Sequence, residues 1–173
     1  MRDVIFLRLK PGGRARSSYE ESRLTPEQAR QLYPLLEGLT LRYGLLSHVD
    51  CAMMPFIYWH HPEKEKLRLY AAEGCVGANE IIEILHDGRI RACSFASGLA
   101  GEASHLPKFW NTASGFKRYR RWHIHPPEPC RSCSYLEHCR GGCHAVAETL
   151  TADFYTPDPE CPFVLEGWND AKR

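Results

Sequence analysis

Four of the chain's eight cysteines lie within fourteen consecutive residues, in the segment CRSCSYLEHCRGGC from position 130 to position 143. Gaps of two, five and three residues separate Cys130, Cys133, Cys139 and Cys143. Cysteine thiolates bind zinc ions and iron–sulfur clusters, and each such centre commonly takes four of them. Eight cysteines are therefore enough for two metal centres.

A zinc ribbon is the simplest zinc-binding fold to compare with this segment. It uses two C-x2-C pairs that lie about 15 to 20 residues apart, whereas this chain contains a single such pair, Cys130 and Cys133. Gly141 and Gly142 also lack side chains at a point where the backbone would pass close to a bulky inorganic centre. The pattern favours a cluster over a single zinc ion.

Composition and charge limit the location and the partners of the chain. Its 173 residues are enough for one ordinary domain or two small ones, and 22 basic residues nearly balance 21 acidic ones. This balance gives no general attraction to nucleic acid or to an anionic membrane, and we expect neither as a partner. No apolar stretch approaches the roughly 20 residues of a membrane span, and the N-terminus does not resemble a signal peptide. We therefore expect a cytoplasmic protein whose cysteines are free thiols or metal ligands.

Two short apolar runs in residues 1–70 predict β-strands. Residues 4–9 are partly β-branched and are followed by a Pro-Gly-Gly turn at 11–13, which is typical of a buried strand. Residues 45–54 are apolar enough to form a second strand. A helix predicted between the two strands gives a β-α-β pattern, which favours a parallel sheet.

The helix between these strands has a clear start signal. Thr25 provides the N-cap hydroxyl, Pro26 occupies the first helical position and Gln28 completes a capping box. Leucines then recur at helical spacing. Pro34 predicts a kink, and Gly38 predicts the end of the helix.

The second half of the chain begins at Gly74-Cys75 and has a different character. Two β-rich runs at 81–85 and 89–93 flank Asp87-Gly88, which predicts a hairpin that brings Cys75 and Cys93 together. Further elements are predicted as a helical stretch over 106–122, an extended proline-rich segment that presents Cys130, a short helix over 145–150 and a turn-rich tail over 156–162.

The complete order of cysteines resembles the seven-cysteine signature of the SPASM domain. Twelve residues separate Cys75 from Gly88 and four separate Gly88 from Cys93, before the clustered cysteines and, further on, Cys161. Gly142-Cys143 before a short helix and the segment Asp158-Pro159-Glu160-Cys161 extend the resemblance, which covers about residues 74 to 163. SPASM domains are C-terminal extensions of radical SAM enzymes, especially peptide and protein maturases, and they bind two auxiliary iron–sulfur clusters.

The resemblance implies two interleaved sets of ligands, with two 4Fe-4S clusters as cofactors. The first auxiliary cluster would be held by Cys75, Cys93 and Cys143. The second would be held by Cys130, Cys133, Cys139 and Cys161. The closely spaced cysteines would thus be divided between two centres.

One iron of the first cluster has no cysteine in this assignment. Some family members supply an additional cysteine a few residues before the position of Cys75, but residues 65 to 74 contain none. Cys51 is the one spare thiol and a candidate extra ligand, although it lies 24 residues upstream on a predicted strand. We therefore expect an open or exchangeable iron site, with a buried inert thiol as the alternative role of Cys51.

The chain departs from the family in its first half. It lacks the C-x3-C-x2-C loop that binds the cluster which cleaves S-adenosylmethionine, and only 74 residues precede Cys75, whereas a complete barrel takes about 250 residues. We expect this chain not to cleave S-adenosylmethionine alone and to need a complete radical SAM core. An uncovered parallel sheet edge is unstable, so the missing strands would come from a partner chain unless the gene is truncated or the chain is a cut fragment.

The predicted fold class is α/β. Residues 1–70 would form a partial (β/α) barrel remnant, and residues 71–173 a small α+β cysteine-rich SPASM domain. The predicted function is the iron–sulfur portion of a radical SAM enzyme that modifies a peptide or protein, with the clusters serving electron transfer and substrate positioning. The alternative is a zinc- or cluster-stabilised protein-interaction module without a redox role.

Two other features have an ordinary structural interpretation beside a functional one. The basic, aromatic run at 117–123 would suit single-stranded nucleic acid, but it is more typical of a solvated helix face over buried aromatic residues. His123, His125, His138 and His144 lie near the cysteines and could bind metal, although surface or supporting roles are more typical.

Overall fold

The computed structural model describes residues 3–70 and 73–167. Its strands are β1 (Asp3–Phe6), β2 (Leu46–Val49), β3 (Glu83–Ile84), β4 (Arg89–Arg91) and β5 (Leu99–Glu102). Its α-helices are α1 (Tyr19–Ser22), α2 (Pro26–Tyr43), α3 (Met54–Tyr58), α4 (Lys64–Leu69), α5 (Leu106–Phe109), α6 (Ser114–Arg121), α7 (Leu136–Cys139), α8 (His144–Thr151) and α9 (Pro162–Leu165). Short 3-10 helices span Gly13–Ser17, Cys51–Met53, Ala103–His105, Trp122–Ile124 and Cys130–Ser132. The predicted mixed α/β class is confirmed.

The first sheet is a parallel pair of strands joined through α2. β1 and β2 align from Asp3 opposite Leu46 to Phe6 opposite Val49, as the β-α-β pattern predicted. The expectation of a buried first strand is wrong, because Ile5 is 66% exposed and Leu7 is 70% exposed. In the described part of the chain this sheet has two strands, and Ile5 on β1 is exposed.

The second predicted strand is shorter than residues 45–54. Pairing ends at Val49, and the chain then forms the 3-10 helix Cys51–Met53 and helix α3. Pro55 explains the change, since proline cannot donate a hydrogen bond to a strand ladder but fits the first turn of a helix. Cys51 therefore lies just beyond the carboxyl end of β2 rather than on a strand.

Helix α2 begins where the sequence predicts and ends later. The backbone N–H of Gln28 donates to Thr25 Oγ1 at 3.2 Å, and the N–H of Thr25 donates to Gln28 Oε1 at 2.9 Å, which confirms the capping box. The predicted stop at Gly38 is wrong. The helix continues to Tyr43 and ends at Gly44, which adopts the left-handed conformation with φ of 62°.

A tertiary contact explains why α2 continues past Pro34. Proline has no N–H, so the carbonyl of Arg30 loses its usual partner within the helix. The Nε2–H of His60 donates to this carbonyl at 2.6 Å. The helix therefore keeps its backbone acceptor satisfied through a residue that lies after α3.

The second sheet contains the predicted hairpin. β3 and β4 are antiparallel, with Ile84 opposite Ile90, and Gly88 in the turn has φ of 82°. β5 pairs with the other edge of β4. This third strand, with the sequence Leu-Ala-Gly-Glu, lacks the alternating apolar pattern that predicts a strand.

The predicted helical stretch over 106–122 is interrupted. Helix α5 ends at Phe109 and α6 begins at Ser114, with Asn111 and Thr112 between them. These two residue types hydrogen-bond readily to nearby backbone outside a helix, which favours a break. Within the stretch, Phe116, Tyr119 and Trp122 are buried, as the aromatic pattern predicted.

Two main hydrophobic cores hold the chain together. One is built on α2 and α3, and it also includes Cys161 and Phe163 from the C-terminal segment. The other lies between β4 and α6. The C-terminal segment therefore packs on the N-terminal β-α-β unit. The predicted domain boundary adjoins residues 71 and 72, which lie outside the described residues.

Candidate functional site

The first candidate cavity is partly open to solvent and is lined by four cysteines. They are Cys130, Cys133, Cys139 and Cys161. The remaining wall is mainly apolar and aromatic, and it includes Tyr58, Tyr135 and Phe163. Tyr58 and Tyr135 stack with their ring centroids 4.6 Å apart, which closes one side of the cavity. Four soft sulfur donors in such surroundings suit an iron–sulfur cluster or zinc.

Short helices hold these four cysteines. Cys130 begins a 3-10 helix, and the N–H of Cys133 donates to its carbonyl at 3.2 Å. The prediction of an extended segment at Cys130 is therefore wrong, because Pro129 before it adopts near-helical angles. Cys139 ends α7, and Cys161 is the N-cap of α9.

Burial raises the pKa values of three thiols of this cavity, Cys130, Cys139 and Cys161. It raises the pKa of Cys130 to about 12, and the neighbouring Cys133 thiol adds to the effect. Burial also raises the pKa values of Cys139 and Cys161. For Cys139, the neighbouring Cys161 thiol raises the pKa further. Metal ligands must be thiolates, so binding a cationic centre here would release protons.

The second candidate cavity is larger and more open, with about 1220 Å³ of empty space. Its four cysteines are Cys51, Cys75, Cys93 and Cys143. Burial raises the pKa of Cys75, and the Cys51 and Cys143 thiols contribute after it. Burial also raises the pKa of Cys143 to about 12, although the Arg8 guanidinium opposes this. These thiols are close enough to influence one another's ionisation.

All eight cysteines are free thiols, and the two cavities divide them four and four. Within residues 3–70 and 73–167, no three His, Cys, Asp or Glu side chains form a site for a single metal ion. The ligand sets implied by the sequence are for iron–sulfur clusters, which are larger than a single metal ion. These sets therefore remain predictions. In the structure, the members of each implied ligand set line one cavity, and Cys51 also lines the second candidate cavity.

The four histidines near the cysteines differ in their surroundings. His123, His125 and His138 are exposed, and none of them lines either cysteine cavity. His144 lines the second cavity and is almost fully buried. Burial lowers its pKa to about 4, so its imidazole is neutral at physiological pH.

A buried ionic cluster connects the two cavities, and sequence reasoning missed it. Arg8 donates to both carboxylate oxygens of Asp158, at 2.5 and 2.9 Å, and to Glu160 Oε2 at 2.7 Å. The N–H of Cys143 donates to Asp158 Oδ2 at 3.0 Å, and the N–H of Cys161 donates to the carbonyl of Asp158 at 3.1 Å. One aspartate thus fixes a cysteine of each cavity. The signal in the sequence that could have indicated this cluster is Arg8, a charged residue within the apolar run of residues 4–9.

Two glycines permit close backbone approaches beside the cysteines. A Cβ at Gly74 would lie 2.1 Å from the carbonyl oxygen of His138, next to Cys139. A Cβ at Gly142, where φ is 81°, would lie 2.5 Å from Cβ of Asp158. Gly142 therefore makes room for Asp158.

Comparisons with known proteins find similarity to a mycofactocin maturase and to a PqqA peptide cyclase. The mycofactocin maturase MftC of Mycolicibacterium smegmatis is 28% identical over 168 residues, which are 93% of this chain and 39% of that protein. The PqqA peptide cyclase of Granulibacter bethesdensis is 35% identical over 99 residues, which are 51% of this chain and 26% of the cyclase. The predicted resemblance to radical SAM maturases with SPASM domains is confirmed.

A second mycofactocin maturase MftC, from Mycobacterium tuberculosis, is 26% identical over 89% of this chain. The chain spans about two fifths of the length of the mycofactocin maturases that it matches. No protein-family profile matches it. Among the helices of the described part, none has the combined length and apolar content needed to cross a bilayer.

Proposed function

We propose that this chain is the auxiliary-cluster portion of a radical SAM enzyme that modifies a peptide or protein. The observation that carries the proposal is the division of eight cysteines between two cavities. The cysteines of each cavity include one of the two ligand sets that the SPASM resemblance implies. The names of the relatives, a mycofactocin maturase and a PqqA peptide cyclase, support a peptide-modifying role.

In this proposal each cavity holds one 4Fe-4S cluster. The second auxiliary cluster would be bound by Cys130, Cys133, Cys139 and Cys161, and the first by Cys75, Cys93 and Cys143. When bound, such clusters supply one-electron chemistry. The apolar and aromatic wall around the second set would exclude water and favour a cluster role in electron transfer over direct contact with substrate.

The second candidate cavity, which would hold the first auxiliary cluster, has surroundings that suit a substrate. Its opening is lined by Lys10, Asp50, Glu73 and Phe95 beside the cysteines. Charged groups of both signs and an aromatic ring can recognise a peptide through ion pairs, hydrogen bonds and stacking. We propose that a peptide lies along this opening, within reach of the first cluster.

The β-α-β unit would be the last part of a (β/α) barrel. This is supported by the parallel pairing of β1 with β2 and by the exposure of Ile5, Leu7 and Leu46. Parallel sheets are normally buried on both faces. We propose that further strands from a radical SAM core, which carries the S-adenosylmethionine site, cover these residues in the working enzyme. A partner chain is one source of that core.

Reduction of the reconstituted chain tests whether it holds two auxiliary clusters but no site that cleaves S-adenosylmethionine. Anaerobically prepared protein should show two distinct reducible clusters in a potentiometric titration followed by electron paramagnetic resonance. With dithionite and S-adenosylmethionine it should form no 5′-deoxyadenosine, because the C-x3-C-x2-C motif is not in this sequence. A single reducible centre, or 5′-deoxyadenosine made by the purified chain, would overturn the proposal.

A further inference from the structure

The structure assigns Cys51 as the fourth thiolate ligand of the first cluster. This inference rests on the proposed function and deepens it, because it decides whether that cluster has an open iron site. Cys51 lines the same cavity as Cys75, Cys93 and Cys143. With Cys51 included, each cavity contains four cysteines, which is the usual number for a 4Fe-4S cluster.

The backbone on both sides of Cys51 is fixed. The N–H of Asp50 donates to the carbonyl of Phe6 at 3.0 Å, at the end of the β1–β2 pairing. On the other side, the carbonyl of Ala52 accepts a hydrogen bond from Arg8 Nη1 at 2.8 Å. Lys10 also forms an ion pair with the Asp50 carboxylate. The position of Cys51 therefore follows from the fold and not from a free loop.

His144 is the alternative ligand in this cavity. Its two ring nitrogens have no hydrogen-bond partner, and the residue is 1% exposed. However, its ring lies between Trp122 and Phe154, with centroid distances of 4.9 and 5.1 Å. An imidazole enclosed by aromatic rings cannot turn toward a cluster without repacking them. Cys51 lines the cavity together with the other three cysteines and provides the softer donor.

This assignment has a functional consequence. Three ligands of the first cluster would come from the cysteine-rich half, and the fourth from the end of β2 in the β-α-β unit. The cluster would join the two halves and have no iron left for substrate or solvent. It would therefore serve electron transfer, whereas a three-cysteine cluster would have an exchangeable site for substrate.

The test uses four proteins reconstituted anaerobically in parallel: wild type, Cys51→Ala, Cys51→Ser and Ser47→Ala. Ser47 is a matched control because it lies on β2, four residues before Cys51, and its buried hydroxyl has no hydrogen-bond partner. Like Cys51→Ala, its substitution removes one side-chain atom. Iron content and the paramagnetic resonance spectrum of reduced protein are measured with and without cyanide.

We expect the spectra of wild type and Ser47→Ala to be unchanged by cyanide. Cys51→Ala should lose the first cluster or acquire a cyanide-dependent signal, and Cys51→Ser should keep iron with a shifted signal. The second cluster should persist in all four proteins, which shows that they are folded. A wild-type signal that changes with cyanide, or a Cys51→Ala protein identical to wild type, would overturn the assignment. Wild type without any cluster would instead overturn the proposed function.

Discussion

Replacing Arg8 by methionine should destabilise the chain more than replacing any exposed arginine. The Arg8 side chain is 2% exposed, and its guanidinium binds Asp158, Glu160 and the carbonyl of Ala52. Burial alone would lower the pKa of Arg8, but the carboxylates of Asp158 and Glu160 raise it well above its usual value. Methionine fills much of the same space and removes the charge, so two carboxylates lose their buried partner.

The size of the effect follows from this burial. Removing one partner of a buried ion pair costs about 3–5 kcal/mol in the free energy of unfolding. Arg23 is the matched control, because it binds the same Glu160 at 3.0 Å but is 36% exposed. Its replacement by methionine should cost about 0.2–1 kcal/mol, as for other solvent-exposed pairs. With a urea slope of about 2 kcal/mol per molar, Arg8→Met should lower the unfolding midpoint by about 2 M.

Urea unfolding followed by circular dichroism provides the measurement, with wild type and both variants prepared identically. A second variant checks the cause. Asp158→Asn should lower the free energy of unfolding less in the Arg8→Met background than in wild type, because the Asp158 carboxylate has already lost its arginine partner there. Equal midpoint shifts for Arg8→Met and Arg23→Met would refute the argument. So would additive effects of Arg8→Met and Asp158→Asn.

Two further predictions concern the cysteine cavities. Cys161→Ala and Cys130→Ala should remove the same paramagnetic resonance signal, and Cys143→Ala should remove the other. Matching spectra for the Cys143 and Cys130 variants would contradict the interleaved ligand sets. Gly74→Ala should lower the unfolding midpoint because its Cβ would meet backbone beside Cys139, whereas Gly38→Ala, at an exposed helical site with open space, should stabilise by about 0.5–1 kcal/mol. Equal thermal or urea midpoints for the two glycine variants would contradict this reasoning.

Local signals in the sequence were sufficient to predict where a helix begins and where a hairpin turns. The capping box at Thr25 and Gln28 predicts the start of α2, and Asp87-Gly88 predicts the hairpin. Each signal depends on a few neighbouring residues whose backbone preferences are intrinsic. The same holds for the short helix predicted over 145–150, which is found as α8.

Long-range contacts explain what local signals could not predict. The sequence does not show that Gly38 would lie within α2, which ends at Gly44, or that His60 would satisfy the carbonyl exposed by Pro34. Nor does it show that Arg8, within an apolar run, would be buried against Asp158, which lies 150 residues away. The spacing of the cysteines indicated the family. The position of Cys51 in the lining of the second cavity, in contrast, depends on where β2 ends.

The iron content of the anaerobically reconstituted chain tests the central claim most directly. Two 4Fe-4S clusters predict about eight irons and about eight acid-labile sulfides per chain, with the brown visible absorption of thiolate-bound iron. Zinc is a d10 ion and gives no such colour. A colourless protein that contains stoichiometric zinc and no iron after the same treatment would contradict the account.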